Sequence, residues 1–185
     1  MGANVKGFSL IEVLVALVIL VVGLVGIFNL HIVAKRGSFE SYQQTLAAYY
    51  ANDMLSRMKL NTPELINYKG TYVVATGATA TAPKSCDVVD PAVLCNSGEI
   101  RAWDTYQWQF GLNGSYETLN GSAVGGLNQA TACIDVNASG EVQVVISWQG
   151  VRQLSDGAAL ANDFAKSCGS ANPKRRQYSV STVIV

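Results

Sequence analysis

Residues 6–20 read KGFSLIEVLVALVIL, and residues 21–28 continue as VVGLVGIF. From Val13 to Phe28 there is no charge and almost no polar atom. Phe8 to Ile27 is 20 residues, about 30 Å of helix and enough to span a bilayer. A secretory signal would have a basic start, a shorter apolar core and then a small-residue cleavage site. Here Lys6 is the one basic residue ahead of the run, and no A-x-A pattern follows it. The chain instead goes on through Asn29, His31, Lys35 and Arg36 into a helical pattern, so the segment is expected to be retained. Inside it lies one charge, Glu12. A carboxylate in hydrocarbon costs a few kcal/mol on insertion scales. Read from the residues alone, Glu12 is either a functional acid or an acid close enough to the helix end to reach the headgroups.

Composition divides along the chain. The 185 residues suffice for one globular domain and an appendage. Charged residues make up 14%, well under the usual quarter or so, with Lys+Arg and Asp+Glu at 13 each. No global field draws the chain toward nucleic acid or an anionic surface. After Asn61 the sequence is rich in Gly, Ala, Ser, Thr and Asn, with short apolar patches between turn residues. Two different solvents are implied. All four cysteines, Cys86, Cys95, Cys133 and Cys168, lie in this second part. They form no CxxC, and the only histidine, His31, sits on the apolar segment, so metal ligation is not expected. An even count in an exported domain reads as two disulfides. Of the three possible connectivities we expect Cys86–Cys95, closing a short loop that contains Pro91, and Cys133–Cys168.

Beyond the apolar run the helical period persists. Phe39, Tyr42, Leu46, Tyr49 or Tyr50, Asp53 or Met54, and Met58 recur at three- and four-residue spacing, with Glu40, Gln43, Gln44 and Arg57 assigned to the remaining surface. Pro63 disfavours helix at Thr62. One helix is therefore expected from about Ser9 to about Leu60, roughly 75–80 Å long at 1.5 Å per residue. Gly23, Gly26 and Gly37 are its weak points. The remainder, 61–185, reads as an α+β head. Residues 71–83 are expected to form a strand and a low-complexity loop, and Ser97–Phe110 a short helix. Ala132–Val136, Val142–Trp148 and Tyr178–Val185 read as strands, the first two joined by a hairpin turn at 137–140.

The string Lys6–Leu20 resembles the class III signal of type IV prepilins and pseudopilins. The resemblance implies a leader of residues 1–7, cut by a prepilin peptidase between Gly7 and Phe8, with Phe8 then N-methylated. It implies Glu12 as the assembly glutamate, a helix over 8–60 whose first part (8–30) forms the transmembrane and filament core, and a periplasmic head over 61–185. The fold implied is α+β, a long helix packed on an antiparallel sheet. The charge arithmetic agrees: cleavage frees a cationic amine one turn from Glu12, and in a bundle that amine can neutralise Glu12 of a neighbour and select a stagger. Ala16, Gly23 and Gly26 would let helices approach closely. The stretch GFSLIEVLVALVILVVGLVGI, the tail YYANDMLSRMKLN, the mid-chain Trp103 and Trp108 and the late VVISWQG strand look most like PilV-type minor pilins. The same N-terminal third also resembles the I-type minor pseudopilin of type II secretion.

The resemblance implies a minor subunit that primes a type IV pilus, serving twitching, adhesion or DNA uptake. Its implied partners are other minor pilins, the major pilin, the prepilin peptidase and the inner-membrane assembly platform. It implies a single-pass protein of the bacterial inner membrane with its head in the periplasm, reaching the cell surface after assembly. No enzyme activity and no cofactor are expected, because the one histidine lies far from any serine or cysteine of the head. Asp87, Asp90 and Asp104 lack calcium-loop spacing. Lys174, Arg175 and Arg176 read as a solvated loop and, lacking interleaved aromatics, a poor nucleic-acid signal. Asn113, Asn120 and Asn137 begin Asn-x-Ser triplets that read as chance in so polar a head.

Overall fold

The computed structural model describes residues 7–73, 82–87 and 94–185. Helix α1 runs Leu10–Leu60. It is followed by a 3-10 helix, Thr62–Tyr68, whose Pro63 lies at the start where a missing N–H is harmless. Then come strand β1 (Gly70–Val73), helix α2 (Ser97–Leu112), a small hairpin of β2 (Thr118–Leu119) and β3 (Ser122–Ala123), strands β4 (Thr131–Val136) and β5 (Glu141–Gln149), helix α3 (Asp163–Ser167), and strand β6 (Arg175–Val183). The chain divides into two compact units at Ser41/Tyr42. The low-complexity loop expected before Pro83 falls largely in 74–81, outside the described residues; so do the leader residues ahead of Gly7, and Asp90 and Pro91.

In the first unit, every residue from Gly7 to Arg36 is exposed. No alternation of faces exists from Val13 to Phe28, because apolar side chains surround the helix. In the second unit, the last turns of α1 do have two faces. Gln43, Ala47, Ala51, Met54, Leu55 and Met58 are buried. This corrects the stripe expected from spacing. Phe39, Tyr42 and Tyr49 are exposed, whereas Gln43, assigned to the surface, is 1% exposed, its Oε1 without a partner among the described residues. Alanine, not an aromatic, lets the helix come close to a sheet, and a pattern search keyed to bulky side chains passes over it.

That helix face meets a four-stranded antiparallel sheet of order β1-β4-β5-β6. Ala132, Ile134 and Val136 of β4 and Val142, Val144, Ile146 and Trp148 of β5 share one core with Ala47–Met58. Period two places their neighbours on the opposite face. There Cys133 and Val145 form a second cluster with Ala165 and Cys168, packed by Phe164. The segment carrying α3 therefore covers the far side of the sheet, giving the head three layers: helix, sheet and a covering loop. The turn between β4 and β5 uses Asn137 and Gly140. The Asn137 Oδ1 accepts from the Ser139 and Glu141 N–H groups at 3.0 and 2.9 Å, and Gly140 takes a φ of 77° that suits glycine.

Helix α2 begins on a capping box, with Asn96 and Glu99 exchanging side-chain-to-backbone bonds. Of the residues expected at helical spacing, Ile100, Trp103, Gln107 and Phe110 are half-buried; Asp104, Trp108, Gly111 and Leu112 face inward instead. Trp108 Nε1 donates to the Tyr50 carbonyl at 2.8 Å. Gly111 is required by the same approach, since a Cβ there would lie 2.7 Å from the Tyr50 ring.

Candidate functional site

The residues singled out for processing and assembly stand at the start of α1. Gly7, Phe8 and Ser9 precede the helix, and the Ser9 carbonyl accepts from the Glu12 and Val13 N–H groups at 3.0 and 3.3 Å. Glu12 thus lies in the first turn, where unpaired N–H groups and the helix dipole favour a carboxylate. Phe8 is 86% exposed and Gly7 has open space around it, so the Gly7–Phe8 bond is accessible. Behind them, α1 is the one helix among the described residues long and apolar enough to cross a membrane, and its apolar window is wholly unburied. A Cβ built on Gly23 or Gly26 meets nothing within 4 Å. The chain's own packing does not ask for glycine at either position. His31, Lys35 and Arg36 are exposed where the apolar run ends.

The cysteines are all paired: Cys86 with Cys95, and Cys133 with Cys168. The first bridge joins the segment after Pro83 to the residue before the α2 cap. The second ties β4 to the end of α3 across the far face of the sheet.

The other candidates serve the fold. Asp104 accepts from Arg57 Nη1 at 3.0 Å and from the Tyr68 hydroxyl at 2.7 Å. Arg57 Nε also donates to Asp53 at 2.9 Å, and Asn61 Nδ2 donates to the Tyr68 oxygen at 3.1 Å and the Ser97 carbonyl at 2.9 Å. Burial, with the Asp104 carboxylate beside it, pushes the Tyr68 phenol well above its ordinary range. Burial likewise pushes Tyr50 up to about 12. This network fastens α2 to the end of α1 and leaves Asp104 committed. Asp87 accepts from Ser85 and Gln107 instead, and among the described residues no acidic, His or Cys group gathers to hold a metal.

Of the basic run, Lys174 stays in an exposed turn, but the two arginines do not form a solvated loop. Arg175 opens β6 and is 3% exposed, holding both Asp156 oxygens at 2.7 and 2.9 Å while Nη1 donates to the Lys166, Cys168 and Gly169 carbonyls. The Arg175 guanidinium holds the Asp156 carboxyl below its usual range. Arg176 Nη2 donates to the Arg152 carbonyl. Charge density in sequence said nothing of these carbonyl acceptors, which only the covering loop assembles. Of the Asn-x-Ser triplets, Asn113 bonds Ser115, Asn120 sits at a φ of 51° in the β2–β3 turn, and Asn137 builds the β4–β5 turn.

Comparison with family models finds a match to the prokaryotic N-terminal methylation motif over residues 2–28. Comparisons with curated proteins and with solved structures found no match. The motif lies on the accessible Gly7–Phe8 bond, on Glu12 and on the apolar helix. Together with that helix, the antiparallel sheet and the two disulfides, it supports a type IV pilin-like protein, of a pilus or a pseudopilus, whose architecture is α+β.

Proposed function

We propose that this chain is a minor pilin of a type IV pilus, a non-enzymatic subunit that helps start the filament within a small complex of minor pilins. The observation that carries the reading is a methylation motif seated on a helix whose apolar surface, all round, has no partner in its own unit. Such a surface needs either lipid or other helices. Both are supplied in turn if the subunit waits in the inner membrane and then enters a filament. On this reading the leader is removed after Gly7, Phe8 becomes the methylated terminus, and Glu12 meets the amine of a neighbour. The head lies in the periplasm until assembly. The minor role rests on the PilV-like features of the N-terminal third and on the large disulfide-bearing head.

Deleting the gene and imaging cells by electron microscopy, with immunogold against the head, tests this. Surface pili should fall sharply while the major pilin stays in the membrane pool, and label should be sparse. Labelling along every filament at major-subunit abundance would contradict the minor role. Normal piliation with failed protein secretion would point to the I-type pseudopilin.

A further inference from the structure

The triplet Asn-Gly-Ser occurs twice, at 113–115 and at 120–122. The intrinsic reactivity of an asparagine followed by glycine is set by its immediate neighbours, so in the unfolded chain the two sites are nearly equivalent. The fold separates them. Asn113 caps the end of α2, its N–H donating to the Gln109 carbonyl at 3.0 Å and its Nδ2 to Ser115 Oγ at 3.0 Å. Gly114 is buried and donates its N–H to the Gly111 carbonyl at 2.8 Å. It lies so close to Gly125 and Gly126 that a Cβ built on it would overlap their backbone. Asn120 and Gly121 are instead the two central residues of the β2–β3 turn, at φ of 51° and 79°, as a tight hairpin favours. Both are exposed, and a Cβ on Gly121 meets nothing within 4 Å. Neither the Asn120 side-chain amide nor the Gly121 N–H has a hydrogen-bond partner among the described residues.

We propose that Asn120 is a site of spontaneous modification, deamidating through attack by Gly121 and becoming isoaspartate or aspartate. The Gly121 nitrogen bonds to Asn120 Cγ as the Cγ–Nδ2 bond breaks, and the proton of the attacking N–H leaves with Nδ2 as ammonia. One water, the only co-reactant, then opens the five-membered imide. Opening at one carbonyl leaves aspartate; opening at the other leaves isoaspartate, with the main chain running through the side chain. Nothing is oxidised or reduced. A left-handed residue holds the next backbone nitrogen away from its own side chain, so the turn must open before attack. Little keeps it closed. β2 and β3 pair through two residues each, form a sheet of their own, and are exposed throughout. A two-stranded ribbon this short is marginal by itself and opens locally. Isoaspartate adds a backbone atom and a carboxylate to a two-residue turn whose geometry fixes the register, so the hairpin would not re-form as before. The four-stranded sheet shares no pairing with it and keeps its structure. This chemistry belongs to the turn alone and is independent of any role in a filament.

The full chain, purified in detergent, is incubated at pH 8 and 37 °C, folded and in guanidinium chloride. Peptide mass spectrometry follows the exchange of NH for O at each asparagine, and electron-transfer fragmentation identifies isoaspartate. In guanidinium both triplets should react at similar rates. In the folded protein Asn120 should react at least about tenfold faster than Asn113, because opening one exposed hairpin costs less than freeing the end of a packed helix. Asn120→Gly, which suits the same turn and has no amide, should remove the product and leave the melting temperature unchanged. Isoaspartate-bearing protein should melt as fresh protein does, while its amides at 118–123 exchange faster with solvent. Equal or faster reaction at Asn113 in the folded protein, or a folded Asn120 that stays unmodified while the denatured chain reacts, would overturn the proposal.

Discussion

Glu12 is the one acid between Phe8 and Arg36, and it stands in the first turn of a helix apolar on every side. Removing it relieves an insertion penalty, so Glu12→Ala should stay in the membrane. It should fail to co-assemble, because the amine of a neighbour then lacks its counter-charge. Pelleting of sheared pili, with this chain followed by immunoblot in both fractions, separates the two effects. A mutant present in the pilus fraction at wild-type level would count against an assembly role. The Asp156–Arg175 pair lies at the other end of the residue scale, since its purpose is internal. Asp156 has its carboxyl held below the ordinary range, so its contribution to stability is complete above about pH 4, the unfolded value. It is lost as pH falls through the lower folded value. Asp156→Asn should therefore destabilise the head at neutral pH and flatten its acid limb. Removing one partner of a buried pair costs about 3–5 kcal/mol when the other stays buried. Here Asp156 is partly open and Arg175 keeps its three carbonyls, so a loss nearer the lower figure is expected by urea unfolding at pH 7 and pH 3.

Among the elements, the far layer of the sheet depends most on one covalent bond. α3 spans only Asp163–Ser167; its Phe164 and Ala165, with Ala161 just ahead of it, are the apolar groups set against Cys133 and Val145. So short a helix is not stable by propensity and needs its attachment. Cys133 and Cys168 are 35 residues apart, Cys86 and Cys95 only 9. On the chain-entropy model these loops correspond to about 4 and about 2.5 kcal/mol. The double variant Cys133→Ala/Cys168→Ala should therefore lose more stability than Cys86→Ala/Cys95→Ala. It should also expose amides of α3 and its flanking loop to hydrogen exchange ahead of the strands. Equal losses, or uniform exchange across the head, would mean that the layer is held by packing alone.

For the whole molecule the proposal is directional: processed at the cytoplasmic face, anchored by the apolar helix, with the head outside. Protein from native membranes should have an intact mass that starts at a methylated Phe8. Protease added to spheroplasts should degrade the head and spare a fragment from the N-terminal helix, whereas intact cells should protect both in unassembled subunits. A mature terminus beyond Phe28 would restore an ordinary signal peptide, and a protected head would reverse the orientation.

Much of this was legible in the residues themselves. An unbroken apolar run of this length admits few solvents, and a glycine, a phenylalanine and a glutamate in fixed register ahead of it are a local signal that needs no fold to be read. The late strands show as short apolar runs bounded by turn residues, and their turn as Asn-Ala-Ser-Gly, because period and turn chemistry act between near neighbours. Which face of α1 is buried was not legible: Gln43, Ala47 and Ala51 became core, and Tyr42 and Tyr49 did not, because the distance between helix and sheet decides what fits. Nor was the fate of Arg175, a loop cation by its neighbours in sequence and a buried pin in the fold. Its acceptors come from residues 156–169, a segment that Cys168 ties to Cys133 of β4. The sequence by itself determined the long apolar helix, the methylation motif and the strands of the four-stranded sheet, all set by contacts close along the chain. Only the tertiary structure decided the core face, the covering layer and the place of β6 at the end of the sheet, since each depends on groups distant in sequence meeting at a few ångströms.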